Sequence, residues 1–329
     1  MHKVAYWLWA QSLWGVIMLP VSFLVQIFVR MKCFMTDKKK LKPYTIVVGN
    51  PNIGGSGKTP FVIWLVKSLQ QKGKKVGVIT RGYKRLSLMK KPYVSEKSYN
   101  PYWLGDEGAL IGEHCQCPVA AYSDRYQAAV ALLQSYKCDI LIFDDGLQYS
   151  GIEFSLKICL FDFKNALGNG FTIPGGPLRS PLSTLEHMDF ILNTGAQVPA
   201  FEKVNYPFVY HGVSKEEKMI SSFSQCTLIL GLAHPETVIS FVKKHCIHLE
   251  SVLLPDHELC SPELIEEILK KSSVIMTEKD WIKLKNYFTL DDDIWVLPLT
   301  LNVNKDIAAS LLKTIRKGSH REILERTFF

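Results

Sequence analysis

The 329-residue chain lacks a disulfide framework: its eight cysteines are scattered, and several, such as Cys159, sit inside apolar runs. That spacing excludes a small cystine-stapled fold and fits reduced, buried thiols in the cytosol. His114-Cys115-Gln-Cys117 has no second ligand pair at zinc spacing, so a zinc site is not expected. Low-complexity tracts and repeats at solenoid periods are missing too. No basic-aromatic stripe accompanies the net charge of +8, which argues against a nucleic-acid partner. The excess instead favours phosphates and acidic lipid.

Charge itself is missing from Val4 to Val29. A straight helix over that stretch would extend about 39 Å, enough for a ~30 Å hydrocarbon core. Gln11, Ser12, Pro20, Ser22 and Gln26 lower its apolarity, and no small-residue cleavage site follows. Arg30, Lys32, Lys38, Lys39, Lys40 and Lys42 come straight after it, against Lys3 before. By the positive-inside rule the remainder of the chain faces the cytoplasm, with the lysines near anionic headgroups. Membrane attachment is expected; spanning and interfacial placement are both compatible with the composition.

What the chain does have is Thr45-Ile-Val-Val-Gly-Asn-Pro-Asn-Ile-Gly-Gly-Ser-Gly-Lys-Thr-Pro60. It reads as a buried strand, a glycine-rich turn and a helix opening at Lys58. Gly54, Gly55, Ser56 and Gly57 let backbone N–H groups approach a phosphate chain, and the helix N-terminus adds positive potential. Lys58 would reach the β/γ-phosphates of ATP, and the Thr59 hydroxyl would ligate Mg²⁺. A glycine-rich βα turn in an ordinary α/β sheet would share part of this pattern. Asn52 stands where the strict pattern has glycine, and Ile53 where partitioning-type ATPases carry an extra lysine.

Downstream, strand-like and helical runs alternate: Lys75–Thr80, Val119–Ala121, Arg125–Ser135, Ile140–Phe143 and Leu156–Asp162. Near-continuous apolar strands predict an α/β fold, a mostly parallel sheet covered on both faces. A second alternation runs from Thr227 to Lys317, giving two α/β lobes that meet near residues 210–225 with a cleft between them.

Ile140-Leu-Ile-Phe143 delivers Asp144 and Asp145 at a strand's C-terminal end, where carboxylates meet Mg²⁺ or its waters; an Asp-Gly turn is the plainer alternative. Asp106 fits either a helix N-cap or a base for an attacking hydroxyl, and spacing gives no preference. His257, beside Asp256 after a strand, fits a structural histidine as well as a catalyst. Arg81, Arg125 and Arg179 are candidate phosphate partners.

The ordered set Val48-Gly-Asn-Pro-Asn-Ile-Gly-Gly-Ser-Gly-Lys-Thr-Pro60, Thr80-Arg-Gly-Tyr83, Gly105-Asp-Glu107, Phe143-Asp-Asp-Gly-Leu-Gln148, Gly168-Asn-Gly170, Pro174-Gly-Gly-Pro-Leu-Arg179, Gly231-Leu-Ala233, Asp256-His257 and Thr277-Glu-Lys-Asp280 resembles the tetraacyldisaccharide 4′-kinase family of lipid A biosynthesis. The resemblance implies transfer of the γ-phosphate of MgATP to the 4′-hydroxyl of an acylated glucosamine disaccharide 1-phosphate. It further implies a place at the cytoplasmic face of a bacterial inner membrane. Carried over by position, Lys58 and Thr59 would bind phosphates and Mg²⁺, with Asp144, Asp145 and Glu107 at the metal. Asp106 with His257 would activate the sugar hydroxyl, and Arg125 and Gln148 would line the site. The ranges expected are 1–35 for a membrane-associated helix, 36–215 for a P-loop kinase core and 216–329 for a smaller α/β lobe. Ser180, Gly175 and Glu258 depart from the family's usual Glu, Ala and second His. A membrane-tethered P-loop ATPase driving assembly or transport is the competing class. Oligomeric state leaves no mark in the sequence.

Overall fold

The computed structural model describes residues 16–51, 57–83, 85, 90–162, 169–194, 200–204, 206–232, 235–255, 258, 260–298 and 300–327. Gly54, Gly55, Ser56, Asp256 and His257 lie outside the described residues.

In chain order the first lobe runs α1 (Leu19–Met35), β1 (Tyr44–Gly49), α2 (Lys58–Gln70), β2 (Val76–Thr80), β3 (Tyr93–Ser95), α3 (Pro101–Cys115) and β4 (Val119–Ala121). It continues through α4 (Arg125–Ser135), β5 (Ile140–Asp144), β6 (Leu156–Asp162) and β7 (Phe190–Thr194). The second begins with β8 (Phe201–Val204), β9 (Phe208–His211), β10 (Glu217–Met219), β11 (Gln225–Leu230), α5 (Glu236–Lys243) and β12 (His248–Leu253). After it come α6 (Pro262–Leu269), β13 (Ser273–Thr277), α7 (Glu278–Leu284), β14 (Ile294–Leu297), β15 (Thr300–Val303) and α8 (Lys305–Thr327).

Among the described residues the first sheet has seven strands in the order β3-β4-β2-β5-β1-β6-β7, parallel except for β3. Side chains alternate across it, as a pleated strand requires. Ile46, Val48, Ile140 and Ile142 pack under α2, α3 and α8, whereas Val47, Leu141 and Phe143 meet Ala128, Ala129 and Leu132 of α4. Both faces are covered, so the strands read as unbroken apolar runs. The second sheet is ordered β10-β9-β14-β13-β11-β12, with β14, β13, β11 and β12 parallel. The chain leaves the first lobe through β8 and returns through β15, which pairs with it antiparallel.

These sheets divide the chain differently from the expected ranges. β9, before residue 216, already pairs with β14 of the second sheet. From α8, Leu311 and Ile315 return to the first core. A helix that closes onto the opposite lobe leaves no local trace in its composition.

The expected N-terminal membrane helix finds no support in the part of the apolar run that is described, and residues 4–15 of that run lie outside the described residues. Among the described residues no helix is long and apolar enough to cross a membrane. α1 covers 17 residues, about 26 Å of rise, and Arg30 and Lys32 stand inside it rather than after it. It lies against the first lobe: the Ser22 hydroxyl accepts from Gly175 N at 2.8 Å, and Gln26 Nε2 donates to Thr172 Oγ1 at 2.7 Å.

The cysteines resolved as free include Cys115, Cys117, Cys159 and Cys260, all buried. Beside Cys115, His114 Nε2 lies 3.2 Å from Glu278 Oε2.

Candidate active site

β1, β2 and β5 run side by side and end together, so their C-terminal edges collect the polar residues that follow them. Gly57 is the residue before α2, held at φ +81, a conformation glycine adopts without a Cβ penalty. The chain thereby enters α2 with Lys58 and Thr59 in its first turn. Lys58 is nearly buried. Its Nζ donates to Asn50 Oδ1 at 3.0 Å and lies 3.5 Å from Asp145 Oδ1. Gln148 Nε2 donates to the Asn50 carbonyl at 3.2 Å, which ties the turn after β5 to the end of β1.

The paired aspartates divide their labour. Asp145 sits at φ +49, a strained region for a non-glycine residue that functional turns retain. Its carboxylate turns to cations: Arg179 NH1 lies 3.0 Å from Oδ1 and 2.8 Å from Oδ2. Burial opposes its ionisation, but Lys58 and Arg179 outweigh burial and hold it below the usual carboxylate range. Asp144 goes the other way. It is 2% exposed, and its Oδ1 has no hydrogen-bond partner among the described residues. Burial, then Glu107, then Asp145 push its carboxyl up to about 8.

Those observations test the fit of a magnesium ion. An orphaned carboxylate oxygen beside Glu107 is a place where a dication would replace a desolvation penalty with a ligand bond. Among the described residues no three His, Cys, Asp or Glu side chains gather as a metal cage. Magnesium bound by one or two carboxylates plus substrate phosphates needs none. Asp144, Glu107 and Thr59 fit that role. Asp145, expected at the metal, is occupied by Arg179 and Lys58.

The Asp144 shift has a consequence for stability. A folded-state pKa raised from 3.8 to about 8 gives stability present below pH ~4 and lost as pH rises through ~8. Asp144→Asn should therefore melt higher than wild type at pH 8 without magnesium, and the gap should close toward pH 4. Thermal melts across that window check it; a gap that widens on acidification contradicts the assignment.

Arg125 opens α4 and is 5% exposed. Its NH2 donates to the Asp145 carbonyl at 3.1 Å, while its Nε has no partner among the described residues. Burial and then Arg81 depress its guanidinium's affinity for a proton, so this corner of the site favours an anion.

Asp106 is not a helix N-cap. Asn100 caps α3, its side chain accepting from Tyr102 N. Gly105 breaks the helix at φ +75 and ψ 164, and a Cβ there would stand 2.7 Å from the Tyr83 carbonyl. Asp106 follows this kink and is buried, with Glu107 beside it. The sequence reading missed Asn50, whose only signal is its place between strand and loop.

A lysine at a helix N-terminus, a buried carboxylate with one oxygen unpartnered among the described residues and two arginines on Asp145 define a class: an α/β phosphotransferase. A family model described as LpxK, tetraacyldisaccharide-1-P 4′-kinase, matches residues 14–316. The chain belongs to that family, and is a kinase. It is 32% identical to the tetraacyldisaccharide 4′-kinase of Mannheimia succiniciproducens, over 93% of this chain and 97% of that one. The Pasteurella multocida enzyme of the same name is 34% identical, over 90% and 93%. The crystal structure of LpxK from Aquifex aeolicus in complex with ATP superposes with a TM-score of 0.73 at 25% identity, covering 92% of this chain and 99% of that one.

Proposed function

We propose that this kinase moves the γ-phosphoryl of ATP to the 4′-hydroxyl of a tetraacylated glucosamine disaccharide 1-phosphate, at the cytoplasmic face of a bacterial inner membrane. The observation that carries the reading is the grouping of Lys58, Asp145 and the orphaned Asp144 at one sheet edge. Lys58 binds the β/γ-phosphates, helped by the backbone of Gly54, Gly55, Ser56 and Gly57. Arg125 and Gln148 border the nucleotide. Asp144, Glu107 and Thr59 would hold a magnesium ion, which would supply neutralisation of the transferring group's charge. Asp106, paired with His257, accepts the proton of the sugar hydroxyl as the new O–P bond forms.

Purified protein in detergent, given MgATP and the acylated disaccharide 1-phosphate, should yield one product with a phosphate added at the 4′ position, read by mass spectrometry. ATP hydrolysis that is just as fast without the acceptor would replace this reading with the membrane-tethered ATPase.

The lipid acceptor explains α1. Phe23, Leu24, Phe28, Phe34 and Met35 are each more than 60% exposed, an apolar surface followed by the basic run Lys38-Lys-Lys40. Such a helix lies in a headgroup plane without crossing it. Arg30 NH2 donates to Ser183 Oγ at 3.2 Å, and with Ser22 and Gln26 it docks α1 on the segment that carries Arg179. Membrane contact and the phosphate site are thus joined. Phe23→Ser/Leu24→Ser/Phe28→Ser should weaken binding to anionic vesicles by about 10²-fold or more, since each buried side chain contributes roughly 1.5–3 kcal/mol. Flotation assays read this directly, and unchanged flotation would remove α1 from the membrane.

A further inference from the structure

Thr277-Glu-Lys-Asp280 takes no part in the phosphate site, yet Glu278 and Asp280 are each only 3% exposed. Both stand in the first turn of α7 and serve different neighbours. Glu278 faces the other lobe. Its Oε2 lies 3.2 Å from His114 Nε2 on α3, and its Oε1 accepts from the Tyr210 hydroxyl at 2.9 Å. Just past α7, Lys285 pairs with Glu113, again on α3. The same helix α3 carries Asp106 about two turns earlier.

Asp280 works within its own lobe. Its Oδ2 accepts from Thr277 Oγ1 at 2.7 Å and from Gly231 N at 3.3 Å, and its Oδ1 pairs with Lys283 Nζ at 3.2 Å. Lys283 Nζ also donates to the Glu258 carbonyl at 3.0 Å, and Glu258 N donates to the Pro255 carbonyl at 2.9 Å. The residue held by Lys283 is the one that directly follows His257. Gly231 belongs to this junction: a Cβ there would meet Asp280 Oδ1 at 2.8 Å and the Glu258 carbonyl at 3.3 Å.

We propose that α7 is a positioning brace for the proton-accepting pair. It fixes α3, which bears Asp106, relative to the Pro255–Glu258 hydrogen bond that brackets His257. The inference rests on the assignment of Asp106 and His257 made above. A buried ion pair is a poor source of stability, because desolvation offsets its attraction, and its best-attested use is to specify geometry. Here it ties α7 to the Glu258 backbone while Glu278 ties α7 to α3, and small misplacements of reacting groups lower turnover steeply.

Asp280→Asn/Lys283→Met removes both charges together, so neither is left buried alone, and keeps acceptors for Thr277 and Gly231. It should lower kcat by about tenfold with KM for ATP within about twofold. In a His257→Ala background the same change should produce no further loss, because the group it positions is gone. A full multiplicative loss in that background, or a raised KM at unchanged kcat, overturns the brace. His257→Ala alone reports on the proton-accepting pair: wild-type turnover there overturns that assignment and the brace with it. A lowered turnover followed by a multiplicative loss overturns the brace only. If the paired variant does not fold, Glu278→Gln runs the same cycle from the other face, retaining the acceptor for Tyr210.

Discussion

Lys58→Ala lowers kcat by at least ~10²-fold, the scale of a lost electrostatic contact to a transferring phosphoryl group. The side chain is almost enclosed, and its Nζ is already aimed by Asn50 and Asp145. It therefore reaches the phosphates preorganised, with little reorientation needed in the transition state. Its removal also deprives Asp144 of the cation that most opposes its raised pKa. The magnesium side of the site should weaken together with the phosphate side. Initial rates at saturating acceptor, with ATP varied, measure both, and a folded variant within threefold of wild type would end the assignment of Lys58.

Asp106→Ala gives a loss of similar size with a different signature. A general base contributes about 10²- to 10⁴-fold, so kcat should drop by at least ~10² while KM for ATP stays close to wild type. The Gly105 kink places Asp106 at the start of a new helical segment, inside the lobe and next to Glu107. A sugar hydroxyl is a poor nucleophile at neutral pH, and nothing in the triphosphate's own grip removes its proton. Normal turnover in folded Asp106→Ala would show that the proton leaves by another route.

Much of this was legible along the chain. Ile140–Phe143 is apolar on both faces because helices cover the sheet on both sides, and it ends in aspartates where the strand ends collect polar residues. Thr45–Val48 followed by glycines and Lys58 reads the same way. Arg179 was visible only as one candidate arginine among three, since nothing local says that a loop 34 residues downstream reaches Asp145. The helix that carries Asp106 begins at Pro101, and Gly105 interrupts it because the Tyr83 carbonyl crosses there. That crossing is a contact between distant segments, invisible to any window of neighbours.

Residue pattern alone was enough to establish the alternating α/β layout and the two carboxylates at a strand end, because periodicity and strand-end chemistry are local properties. Long-range closure settled the rest. Two adjacent aspartates of one type became an orphaned acid and an arginine-bound anion once burial and charged neighbours differed at each. The described part of the apolar N-terminal run, α1, became a docked surface helix when Ser22, Gln26 and Arg30 found partners some 150 residues away. Dielectric environment and contact across such separations are set by how the chain packs, and no stretch of sequence carries them by itself.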